Sequence, residues 1–88
     1  MSEYSVNFKP SVEKDLRKIP DSELITIMER IERLVFNPFP SHAKKILGTQ
    51  KTFRIRIRDY RIIYEVDTGK KIITVLYIRH RRDAYRDI

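Results

Sequence analysis

The chain has 88 residues, 19 of them Lys or Arg and 12 Asp or Glu, for a net charge of +7. That length supports one domain, residues 1–88, burying about 60 to 65% of its unfolded surface, so a modest core and a shallow surface site are expected rather than a deep active site. With no cysteine and only two histidines, a disulfide scaffold, a thiolate zinc site and a cysteine nucleophile are excluded, and neither a metal nor a cofactor is expected.

Tyr4, Val6 and Phe8 alternate with polar residues and predict a short strand ended by Pro10. Val12, Leu16 and Ile19 then recur at helical spacing up to Pro20. Asp21 and Ser22 are suitable N-caps for a longer helix with Leu24, Ile27, Met28, Ile31, Leu34 and Val35 on one face, ending before Asn37-Pro38. So short a link makes the two helices an antiparallel hairpin whose apolar stripe needs a sheet to cover it. Residues 38–48 read as a loop in which Ile46 and Leu47 tuck against the core.

From Lys51 to Tyr64 apolar and cationic residues alternate. Phe53, Ile55 and Ile57 fall on one face of a strand and Arg54, Arg56 and Arg58 on the other, because strand side chains alternate with period two. Same-face arginines roughly 7 Å apart repel by about 0.6 kcal/mol per pair even in the dielectric of water, which an anionic ligand would offset. The same pattern also fits a solvated arginine face on a half-buried sheet. Asp67-Thr68-Gly69-Lys70 is a turn, and Ile72 to Ile78 suits an interior strand. The expected architecture is α+β: a small antiparallel sheet of about four strands with an N-terminal helical hairpin packed on one face.

Charge is distributed unequally. Residues 1–44 hold seven cations and seven anions, whereas residues 45–88 hold twelve cations and five anions, so the whole net charge lies in the second half. Such a field attracts polyanions, nucleic acid or an acidic protein above all. The tail Ile78-Arg-His-Arg-Arg-Asp-Ala-Tyr-Arg86 adds arginines and an aromatic ring, a combination that binds phosphates bidentately and stacks on unpaired bases, though it also fits a frayed basic terminus. The amino terminus lacks the apolar run of a signal peptide, and no apolar segment approaches the ~20 residues of a membrane span, so a cytoplasmic location is expected. Abundant Ile, Lys, Arg and Glu lean toward a thermophilic source.

Taken together, Lys14-Asp-Leu-Arg-Lys-Ile19, Asn37-Pro38, Lys45-Ile-Leu-Gly48, Phe53-Arg-Ile-Arg-Ile-Arg-Asp-Tyr-Arg-Ile-Ile-Tyr64 and Ile78-Arg-His-Arg-Arg-Asp-Ala-Tyr85 resemble the RelE/ParE superfamily of toxin–antitoxin toxins, the RelE side in particular. The resemblance implies a metal-independent endoribonuclease that cleaves messenger RNA in the ribosomal A site by attack of the 2′-hydroxyl on the adjacent phosphate, held in check by a helical, RelB-like antitoxin, which the +7 charge of the second half predicts to be acidic. It places Arg54 and Arg56 where relatives carry active-site cations, often lysines. Arg61 and Arg81 match the phosphate-binding and transition-state arginines, and Tyr85 the base-stacking tyrosine. Lys44, Lys45, Lys51, Arg58, Arg79 and Arg82 are expected to contact RNA or ribosome. Where some relatives have a lysine as general base this chain has arginine, which does not release its proton, so proton transfer falls to His80, to a water or to ribosomal RNA. Two other readings stay open: a ParE-like gyrase poison that cuts no RNA, and a non-catalytic RNA- or ribosome-binding module.

Overall fold

The computed structural model describes residues 3–82, in the order β1 (Ser5–Phe8), α1 (Val12–Arg17), α2 (Asp21–Arg33), β2 (Lys44–Lys45), β3 (Thr52–Ile57), β4 (Tyr60–Asp67) and β5 (Ile72–His80). The strands form one sheet in the order β1-β5-β4-β3-β2. Two features refine the expected antiparallel sheet of about four strands. Lys44 and Lys45 pair with Arg54 and Phe53 as a fifth strand at the edge, where a loop was expected; two lysines carry no period-two signal. β1 runs parallel to β5, from Ser5 opposite Ile72 to Phe8 opposite Val75, and a parallel pair requires a long crossover between its strands.

Both helices lie on one face of the sheet. Val12, Ile19, Ile27, Ile31 and Leu34 pack against Ile55, Ile57, Ile62, Tyr64, Val66, Ile73, Val75 and Ile78 to form the core. Val75 and Ile78 are three apart yet share this face, because the register of β4 against β5 shifts between Ile63 and Tyr64. Ile63 faces Tyr77 while Tyr64 faces Val75, so Leu76 is the extra residue of a bulge. The bulge turns Tyr77 and Arg79 toward the face away from the helices. Two local expectations fail: Leu47 is 97% exposed rather than tucked in, and α2 starts at Asp21 with Pro20 as its N-cap and no side-chain capping bond. The proline carbonyl accepts the Glu23 and Leu24 amides instead, leaving Asp21 to favour the positive end of the helix dipole.

Where β1 stops, the open edge of β5 is covered by α1. Asp15 accepts the Ile78 amide at 3.1 Å through Oδ2 and the Arg79 guanidinium at 2.7 Å through Oδ1. Asp15→Ala removes both acceptors from a largely buried position and is expected to lower stability by about 2–3 kcal/mol. In a domain of this size that is a fall in melting temperature of about 10 to 20 °C, readable by thermal denaturation; an unchanged melting temperature would contradict it.

Tyr64 anchors the loop after α2. Its buried hydroxyl donates to the Pro38 carbonyl at 2.8 Å, and Phe53 lies between the Tyr64 and Phe39 rings, stacked on one at 5.9 Å and edge-on to the other at 5.2 Å. Tyr64→Phe is expected to cost about 1–2 kcal/mol at neutral pH, because the Pro38 carbonyl loses its donor. Burial pushes the Tyr64 phenol up to about 12. Below pH 10 folded and unfolded chains both keep the proton; between about 10 and 12 only the folded chain does, so stability falls by about 2–3 kcal/mol across that window. Urea titrations at pH 9 and 11.5 should show a smaller alkaline loss in Tyr64→Phe than in the parent protein.

Candidate functional site

The face away from the helices is built in cross-strand ranks. Arg56 on β3, Arg61 on β4 and Arg79 on β5 stand opposite one another, and the next rank is Arg54, Ile63 and Tyr77, with Lys44 of β2 beyond Arg54. Neighbouring strands are about 4.8 Å apart, so each directly opposed cation pair repels by about 0.8 kcal/mol even at the dielectric of water. Asp15 compensates Arg79, whose guanidinium also lies 4.8 Å from the centre of the Tyr77 ring; Lys9 lies 5.8 Å from that ring. Arg54, Arg56, Arg61 and Lys44 join no ion pair among the described residues.

Arg61 is the unusual member. It is 5% exposed, and its buried Nη1 has no hydrogen-bond partner among the described residues. Buried polar groups are ordinarily hydrogen-bonded, and a buried guanidinium without a partner is destabilising, so this edge is suited to an incoming acceptor. Arg61 also lines a cleft of about 300 Å³ together with His42, Lys44, Arg54 and Arg56. Four cations around one hollow, one of them a largely dehydrated planar fork, suit a phosphodiester and the extra negative charge of a phosphorane.

His42 enters the cleft because its loop is fixed at both ends. Tyr64 holds Pro38, the Phe39 amide donates to Asn37 Oδ1 at 3.2 Å, the Ala43 amide donates to Pro40 at 2.9 Å, and Lys44 is paired in the sheet. A second hollow of about 200 Å³, lined by Arg30, Arg33, Leu34, Asn37, Pro40, His42 and Ile55, meets the first at His42.

The sequence-predicted cations divide between several places. Arg54, Arg56, Arg61 and Lys44 converge on the cleft. Lys45 is opposite Phe53, hence on the other face, and Lys51 is exposed just before β3. Arg58 does not continue the Arg54–Arg56 ladder: it sits in the β3–β4 turn at φ 54° and donates to Glu23 of α2 at 3.1 Å. A two-residue hairpin turn needs positive φ and breaks strand alternation there. Arg81 follows β5 outside the lining of the cleft, its amide donating to the Asp59 carbonyl at 2.6 Å and its Nη1 4.0 Å from the Asp59 carboxylate, with the side chain 66% exposed. Arg82 is exposed. His80 is opposite Tyr60 and edge-on to its ring at 5.3 Å, with Nδ1 accepting the Arg82 amide; this is the helix-side face, away from Arg54, Arg56 and Arg61. Tyr85 lies outside the described residues. Sequence reasoning missed His42 and Tyr77. A histidine two residues before a lysine pair was the available signal for the first, and the bulge hid the second.

The family described as "ParE toxin of type II toxin-antitoxin system, parDE" matches residues 6–85. RelE1 of Methanocaldococcus jannaschii is 33% identical over 87 residues, covering 96% of this chain and 97% of the relative. A chain of the archaeal RelE–RelB complex from Pyrococcus horikoshii superposes with a TM-score of 0.81 at 30% identity, covering 92% of this chain and 97% of that one. A chain of the RelBE2 toxin–antitoxin complex from Mycobacterium tuberculosis gives 0.78 at 27% identity, covering 90% and 99%. No helix among the described residues is long and apolar enough to cross a membrane. A match over nearly the whole chain, with the cationic sheet face in place, establishes that this protein belongs to the RelE/ParE superfamily of type II toxin–antitoxin toxins.

Proposed function

We propose that this toxin is a ribosome-dependent endoribonuclease that cleaves messenger RNA in the A site. The observation that carries the reading is a nearly buried arginine, Arg61, whose Nη1 has no partner among the described residues and which lines one cleft with Arg54, Arg56 and Lys44. The 2′-hydroxyl attacks the neighbouring phosphorus, the bond to the 5′-oxygen breaks, and the products are a 2′,3′-cyclic phosphate and a 5′-hydroxyl. An internal nucleophile of this kind needs in-line positioning, neutralisation of the phosphorane and two proton transfers. Arg61 and Arg56 hold the phosphate, Arg54 and Lys44 extend the track along the strand, Arg81 stabilises the phosphorane, and the role the resemblance gives Tyr85 is to stack on the base. Lys51 and Arg82, both exposed, extend the cationic surface toward the ribosome, whereas Lys45 lies on the opposite face and Arg58 and Arg79 are paired with Glu23 and Asp15.

A cognate RelB-like antitoxin, acidic and helical, restrains the toxin. The relatives from Pyrococcus horikoshii and Mycobacterium tuberculosis are found in complexes of this type, and a surface with four uncompensated cations favours an acidic partner. The toxin acts in the cytoplasm, where ribosomes are.

One observation favours a second reading, a gyrase poison: the matching family is described by ParE. Induced expression followed by primer extension on a translated messenger separates the two. Codon-phased cuts are the expected result; growth arrest with uncut messenger, together with inhibition of purified gyrase in a supercoiling assay, would reverse the choice.

A further inference from the structure

We propose that His42 is the general base of the cleavage reaction, an assignment that rests on the nuclease reading above. His42 lines the cleft of Arg54, Arg56 and Arg61 and also the hollow beside it, whereas His80 is on the opposite face of the sheet against Tyr60. Among the described residues the charged groups that line the two hollows with His42 are all cations: Arg30 and Arg33 from α2, Lys44 from β2, Arg54 and Arg56 from β3, and Arg61 from β4, with no carboxylate of the described residues in either lining. Guanidinium groups keep their protons at any physiological pH, so histidine is the side chain of this set whose type exchanges protons near neutrality.

With a phosphate on Arg61, a ring nitrogen of neutral His42 accepts the 2′-hydroxyl proton as the 2′-oxygen bonds to phosphorus. The phosphorus–5′-oxygen bond then breaks, and the departing oxygen takes a proton from water. The resulting hydroxide is neutralised by the imidazolium, which returns His42 to its starting state, with no net uptake or release of protons. Exposure of His42 allows that exchange with solvent, and its anchored loop sets the ring beside the cleft before RNA arrives, which is what makes a positioned base effective.

The test is single-turnover cleavage of messenger RNA on programmed ribosomes between pH 5 and 9, comparing the wild type with His42→Ala, His42→Gln and His80→Ala. The wild-type rate is expected to climb with pH and level off where imidazoles titrate. His42→Ala and His42→Gln should be about a hundredfold slower and lose that limb. Ribosome binding should be unchanged, and added imidazole should restore part of the rate to His42→Ala. His80→Ala should keep the wild-type profile. A His42→Ala protein with the wild-type rate and pH limb would overturn the assignment while leaving the nuclease reading intact. A wild type that leaves the messenger uncut would overturn both.

Discussion

Arg61→Met is expected to slow messenger cleavage about a thousandfold while leaving the protein as stable as the parent or more so. The two effects have one cause. In the free toxin Arg61 is 5% exposed and its Nη1 is unpartnered, a desolvated cation with incomplete compensation. Replacing a buried charge by an apolar side chain of similar length is often neutral or stabilising by about 1–4 kcal/mol. Like-charge repulsion from Arg56 in the same rank disappears as well. Under the proposed nuclease reading the gain in stability is the counterpart of the lost function, since the same desolvation would strengthen the pairing of Arg61 with a phosphorane. Losing one such donor costs about 10²- to 10³-fold in rate, and a largely dehydrated fork belongs at the upper end. Thermal denaturation and single-turnover cleavage of one preparation measure both. A large drop in melting temperature would mean that Arg61 is structural, and an unchanged rate would remove it from the site.

Arg81→Ala is expected to reduce the rate about 10²- to 10³-fold with little change in stability. Its side chain is 66% exposed and 4.0 Å from an equally open Asp59, a contact worth at most a few tenths of a kcal/mol at the surface. Arg81 therefore contributes little to the fold and is available to swing toward the phosphate from the sheet end. The proposed division of labour is between Arg61, already in the cleft lining, and Arg81, recruited from outside it. Arg81→Lys should recover only part of the activity, because an ammonium lacks the bidentate fork. Unchanged cleavage by Arg81→Ala would sink the assignment.

The hairpin, the helical pair and the core face were legible because each rests on a period. Ile55, Ile57 and Ile62 are buried where alternation puts them, as are Ile27 and Ile31 on α2. What was illegible depends on interactions between distant segments. Strand periodicity carries no direction, so the parallel pairing of β1 with β5 could not be read from Val6 and Phe8. The bulge at Leu76 decides whether Ile78 or Arg79 joins the cationic face, and nothing in a near-continuous apolar run announces it. Arg58 shows the opposite failure: alternation extended one residue too far into a turn. His42 lies in a loop, where no period applies, and that loop is held by a hydrogen bond from Tyr64 to Pro38, which are 26 residues apart. The cationic half of the chain was evident from charge alone, but which arginines converge and which are diverted to Glu23 and Asp15 is a property of the packed sheet.

The assignment of ribosome-dependent cleavage is tested most directly with purified toxin, ribosomes programmed with a messenger and a vacant A site. Wild-type protein should cut within the A-site codon and leave a 2′,3′-cyclic phosphate and a 5′-hydroxyl, and Arg61→Met should leave the messenger whole over the same time. An intact messenger in the presence of wild-type toxin that binds these ribosomes would contradict it.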